Sequence, residues 1–189
     1  MLLNGVRKAA VATGRRGGGI EMEPTMAVSL RASLEQVSDP KNLDSSVEEV
    51  FKLMLGVDCR RDLAPVDQHD KEPESVTAVV GFGGLLSGAC VFRSGRKAAM
   101  EIAAHMTGME FEEIDDTVKD GIGELCNMLA GSWKGRVPEL AANCGLSVPA
   151  VITGSNYKLH VQAPEFQLHH FYLFDGSSFD VTIVCDGLQ

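Results

Sequence analysis

Asp120, Glu124 and Asn127 carry the most pointed chemistry in this sequence. Steps of four and three residues return to one side of an α-helix, so the three side chains share an arc of about 60°. A carboxylate only accepts hydrogen bonds, whereas an amide both accepts and donates. Held together on a rigid helix, the two can grip a partner and position a water beside an electrophile that the partner brings. Phosphoryl transfer is chemistry of that kind, since it runs on positioning and charge stabilisation and commonly uses an amide to orient the attacking water. Other chemistries fit less well. Ser132 is the nearest serine in sequence, but it has no GxSxG context and no histidine on the same helix. Asp120 and Glu124 lie side by side, whereas a glycosidase flanks the scissile bond from two sides. The plain alternative is a solvated helix face.

The element that must present these residues spans residues 115–135. Its spacing predicts an amphipathic helix with Val118, Ile122, Leu125, Cys126, Leu129 and Trp133 on the core face. Gly121, Gly123 and Gly131 lie in or beside it, although each glycine costs about 1 kcal/mol relative to alanine in a helix interior. Bare backbone beside Glu124 and Asn127 would let another macromolecule approach closely. Asp120, Gly123, Glu124 and Gly131 are therefore the expected partner-binding set.

The other elements follow in order. Asp39-Pro40 reads as loop, and Ser46 with Glu49 reads as a capping box opening a helix with Val47, Val50, Phe51 and Met54 on one stripe and Gly56 as its stop. Residues 59–74 read as a charged loop with a short strand near Cys59. Residues 75–93 read as two strands turned at Gly83-Gly84, because GFGGLLSG matches neither the dinucleotide fingerprint nor a Walker A loop. A second helix is expected over 96–106, with His105 near its end as a partner of the terminal carbonyls. Beyond the central helix come a link containing Pro138 and Gly145 and a strand over 149–161 interrupted at Gly154-Ser155. A second hairpin follows over 167–185. Alternation puts His169 and His170 on opposite faces, so they do not form one metal site. The pattern predicts an α+β single domain with an antiparallel or mixed sheet of two hairpin regions covered by three helices.

Composition narrows the class. The chain has 189 residues, 44% hydrophobic, and a net charge of −9, which opposes a nucleic-acid grip. No apolar run reaches the length of a membrane span. Cys59, Cys90, Cys126, Cys144 and Cys185 are widely spaced with no CxxC pair, a pattern that fits reduced thiols in a cytoplasm better than a disulfide framework or a zinc site, and a thiol or metal enzyme is the least favoured reading. Arg7, Lys8, Arg15 and Arg16 start the chain with no acid in the first twenty residues. This can resemble a transit peptide or twin-arginine signal, but no apolar region follows Arg16. Residues 1–40 are expected to be a disordered tail, or residues preceding a true start at Met22 or Met26, and 41–189 the domain.

The pattern Asp120-x-x-x-Glu124-x-x-Asn127, continued by Met128-Leu129-Ala130-Gly131, resembles the signature of the CheC/CheX/FliY family of chemotaxis phosphatases. The hairpin and the helix before it also resemble that family, its CheX type above all, and the likeness covers about residues 43–185. Pro149 lies one residue earlier than the family pattern sets its proline. The resemblance implies hydrolysis of the phospho-aspartate of a CheY-like receiver domain, with no cofactor of the chain's own and with Mg²⁺ and a lysine supplied by the receiver. It implies that Asn127 orients the water for in-line attack, that Glu124 anchors the receiver through its lysine, and that Asp120 supports. The first helix carries no second E-x-x-N, which implies the single-site CheX type and a homodimer joined at sheet edges. The competing expectation is a module that docks on receivers or a flagellar switch without hydrolysis.

Overall fold

The computed structural model describes residues 37–64, 74–155, 157 and 164–188. Expectations for the tail up to residue 36, for His160 and for the second half of the strand over 149–161 lie largely outside them. Helix α1 spans Pro40–Val50 and ends in a π-helical turn, Phe51–Leu55. It starts earlier than the capping-box reading places it. Asp39 is the N-cap, its side chain accepting from the Lys41 N–H, and Pro40 occupies the first turn, where its missing N–H costs nothing. Ser46 is instead a fully buried helix residue whose hydroxyl donates to the Asn42 carbonyl at 2.7 Å. Val37 is also buried in the core, so the ordered unit begins before residue 41. Gly56, at φ +70°, ends the π turn as expected.

Strands β1 (Arg60–Asp62), β2 (Ser75–Gly84) and β3 (Leu86–Gly95) precede helices α2 (Arg96–Thr107), α3 (Asp116–Gly135) and α4 (Pro138–Asn143). Strands β4 (Cys144–Leu146), β5 (Ala150–Gly154), β6 (Phe166–Phe174) and β7 (Ser177–Leu188) follow. One feature corrects the sequence reading. The helices are four rather than three among the described residues, because Pro138 opens α4 instead of marking a turn-rich link. The sheet is antiparallel at every pairing, in the order β1-β6-β7-β3-β2, with β4 and β5 both on the outer side of β2.

Both hairpins are present. The β2–β3 tip turns where Gly84 adopts φ +118°; a Cβ there would stand 2.4 Å from the Asn143 carbonyl oxygen, so only glycine fits against the end of α4. The β6–β7 connection is Asp175-Gly176, both at positive φ, the two-residue turn whose twist matches paired strands. His105 does not serve the carbonyls of its own helix; its Nε2 pairs with Asp175 of this turn at 3.2 Å.

The helices cover one face of the sheet. Val118, Ile122, Leu125, Cys126, Leu129 and Trp133 of α3 are all buried, as the periodicity predicts, against Ala78, Val80, Phe82, Cys90 and Phe92. Phe51 stacks on Phe179 at 4.6 Å, which locks α1 onto β7. A polar knot reinforces that end. Asp44 of α1 accepts from Tyr172 Oη at 2.9 Å and from His170 Nδ1 at 2.8 Å, and Arg61 of β1 reaches its other oxygen at 3.2 Å. His169 faces the other way and pairs with Asp180, so the two adjacent histidines serve different faces.

Candidate functional site

The site is the outward face of α3. Asp115 caps the helix by accepting from the Val118 N–H at 2.9 Å, and the helix then runs unbroken through all three candidate residues. Asp120 and Glu124 are exposed and Asn127 is half-buried. None of the three side chains makes a hydrogen bond or ion pair with the described residues. The nearest cation in sequence, Lys119, is held by Asp116 at 2.9 Å; that contact pulls the Asp116 carboxyl below its usual range and raises the Lys119 ammonium. A carboxylate and an amide thus stand together with their hydrogen-bonding capacity unspent.

The helix is fixed by what surrounds it. At its C-terminal end Arg136 Nε donates to the buried Ser46 hydroxyl at 2.7 Å and Nη2 to Glu49 Oε2 at 2.6 Å. The Ser132 hydroxyl donates to the same Glu49 oxygen at 3.4 Å, which ties it to α1 rather than readying it as a nucleophile. Two of the helix glycines lie against neighbouring elements of the fold. A Cβ on Gly121 would stand 3.7 Å from the Met106 sulfur of α2. On Gly123, which is buried, it would stand 3.3 Å from Val151 Cγ2 and 3.4 Å from Pro149 Cβ. A Cβ on Gly131 would meet only Leu146 Cδ1, at an ordinary 3.9 Å. Pro149, at the head of the strand expected over 149–161, is thereby brought onto the flank of α3 beside Glu124.

The remaining reactive groups are placed elsewhere. All five cysteines are free and buried, and burial pushes the Cys59 thiol up to about 12, away from a reactive thiolate. Contact with Cys126 and burial likewise raise the Cys90 thiol. Among the described residues no three His, Cys, Asp or Glu side chains are grouped as a metal site, and no helix is long and apolar enough to cross a membrane. The face of α3 offers a carboxylate and an amide that can hold and orient polar groups of another molecule.

Comparison with known proteins gives the family and the fold. Residues 76–170, half of the chain, match the family model for chemotaxis phosphatase CheX. The chain is 28% identical over 118 residues to the CheY-P phosphatase CheX of Thermotoga maritima, covering 62% of this chain and 76% of that protein. The crystal structure of CheX from Vibrio vulnificus superposes with a TM-score of 0.64 at 19% identity, covering 79% of this chain and 98% of that one. A CheX–CheY–BeF3–Mg²⁺ complex from Borrelia burgdorferi is similar with a TM-score of 0.59 at 20% identity, covering 77% and 96%. At those identities the two structures speak for the fold alone.

Proposed function

The chain belongs to the chemotaxis phosphatase CheX family, and from that premise we propose that it hydrolyses the phospho-aspartate of a CheY-like receiver domain, with Asn127 and Glu124 as its working pair. The observation that carries the assignment of residues is the unspent polarity of α3: Glu124 exposed and Asn127 half-buried, one turn apart, with no partner among the described residues. The receiver provides the phosphoryl group, the Mg²⁺ that neutralises it, and a lysine. Asn127 accepts a hydrogen from water with its amide oxygen and donates from its nitrogen toward a phosphoryl oxygen, which aligns the water opposite the aspartyl oxygen. Glu124 pairs with the lysine and fixes the docking geometry. A carboxylate at position 127 would meet the phosphoryl charge with its own, so the amide belongs nearer the phosphorus and the carboxylate further away. Asp120, exposed one turn earlier, supports the receiver's approach.

The acting form is a homodimer joined at a sheet edge. Strand β5 pairs only with β2 among the described residues and exposes Ile152, a surface on which a second copy could add. Light scattering giving a monomer at micromolar concentration would remove the dimer. The phosphatase reading is tested by following phosphate loss from a phosphorylated receiver with and without the protein. Acceleration supports it, and unchanged loss from a receiver that nonetheless binds would leave a docking module.

A further inference from the structure

Strands β4 and β5 are joined by an arch, residues 147–149, built against the flank of α3. Leu146 Cδ1 lies 3.9 Å from where a Cβ on Gly131 would stand, and Pro149 Cβ lies 3.4 Å from the corresponding point on Gly123. These glycines are about 12 Å apart along the helix axis, with Asn127 midway between them. The arch therefore passes Asn127 in the steps between Leu146 and Pro149. Ser147 is turned to the sheet: its N–H donates to the Gly81 carbonyl at 2.9 Å and its Oγ accepts from the Gly81 N–H at 2.8 Å. The same hydroxyl donates to the Val148 carbonyl at 2.9 Å. Val148 is left as the residue level with Asn127, and its side chain is 86% exposed, the most exposed large hydrophobic among the described residues.

A single exposed valine on a loose tip needs no explanation. This one sits on a braced backbone, with strands paired to β2 on both sides, its own carbonyl bonded and Pro149 seated on α3. Any surface that delivers a phosphoryl group to Asn127 must also meet a side chain level with it. An isopropyl group offers no polar complement, so the surface facing it has to be apolar to escape a desolvation cost.

We propose that Val148 is a specificity-determining contact, its isopropyl group entering an apolar recess on the receiver surface that docks over Asn127. This rests on the receiver-phosphatase reading and names the chemistry of the partner's surface beside its phosphorylated aspartate. The test uses the full chain and its Val148→Ala variant, with a CheY receiver phosphorylated by acetyl phosphate in Mg²⁺. Removing two buried methyl groups raises KM for the receiver about tenfold, with kcat and the thermal midpoint unchanged. A KM within twofold of wild type overturns the contact. So does a shift in oligomeric state that accounts for the change, which would assign Val148 to a contact between copies. If the wild type binds the receiver without accelerating phosphate loss, the reading of the chemistry fails, and the tenfold change is sought in the dissociation constant instead. A wild type that does not bind overturns both.

Discussion

Replacing Asn127 isolates the chemical step because the fold does not lean on its side chain. Asn127 is half-buried and bonds to none of the described residues, so Asn127→Ala leaves no buried donor or acceptor orphaned. Alanine is the better helix former by up to about 0.7 kcal/mol, and the variant should melt at the wild-type temperature or up to about 2 °C above it. The loss falls on the transition state. Removing one oriented hydrogen-bonding group aimed at developing charge costs about 10²–10³ in turnover, or about 2.7–4 kcal/mol. Phosphate release should therefore fall to the receiver's own rate while binding is nearly kept. Asn127→Asp sharpens the argument, since it has the same shape with an added charge. Near a phosphoryl oxygen that charge is repelled by about 4 kcal/mol at 4 Å in a half-screened surface site, so this variant should lose binding as well. The assay is phosphate release at saturating phosphorylated receiver, paired with equilibrium binding and a melting curve. Turnover within threefold of wild type in the alanine variant would refute the assignment of Asn127.

Three further outcomes follow from the same geometry. Glu124→Ala removes an exposed carboxylate with no internal partner; it should weaken receiver binding about 10–100-fold, as expected for a charge-assisted hydrogen bond, and the wild-type affinity should fall with added salt while the variant's does so less. Gly131→Ala places a methyl where only Leu146 Cδ1 stands at 3.9 Å. It should raise the melting temperature by about 2–4 °C through helix propensity yet raise KM, and an unchanged KM would take Gly131 off the docking face. Burial, partly offset by Asp44, holds the His170 imidazole below its ordinary range. The unfolded chain then binds the proton more readily, so this group's contribution is complete above about pH 6.5 and is lost as pH falls from there toward the depressed folded value. Wild type should lose melting temperature between pH 7.5 and 5.5 faster than His170→Asn, and parallel curves would count against it.

The helix α3 was legible in the sequence because two periodicities coincide in it: apolar residues at helical spacing and three polar residues on the opposite side. Both hairpins were legible for a similar reason, apolar strands parted by glycine-bearing stretches, although Gly83 and Gly84 both belong to β2 and the first tip falls one residue later, at Leu85. What escaped was chemistry with more than one local solution. Ser46 with Glu49 satisfies the capping-box pattern, but Asp39, seven residues earlier, offers a cap followed by an N-terminal proline, and Ser46 is needed inside to receive Arg136. Pro138 reads equally as a turn or a helix start, and α4 exists because its end meets Gly84 across the fold. The neighbours of Gly121 and Gly123 were hidden for the same reason. Their spacing signals close approach, but only the tertiary arrangement says that α2 and the β4–β5 arch are what approach.

Those neighbours clarify how the site is built. A helix that presents two working side chains must be fixed in rotation about its own axis, since a roll beyond about 20° would spoil the aim of Asn127. Bulky residues would fix it by interdigitation alone, but they would also hold neighbouring elements away. Gly121 and Gly123 let α2 and Pro149 press directly on the backbone from opposite flanks. Below, Cys126 reaches the Ala78 carbonyl of the sheet at 3.5 Å, and at the end Arg136 is held by Ser46 and Glu49 of α1. Constraint comes from the sheet, two helices and the arch, and none of it uses Asp120, Glu124 or Asn127. The outer face is free to be polar and unpaired because the inner face and flanks carry the whole task of orientation, which is why substitutions at Glu124 and Asn127 can alter binding and turnover separately from stability.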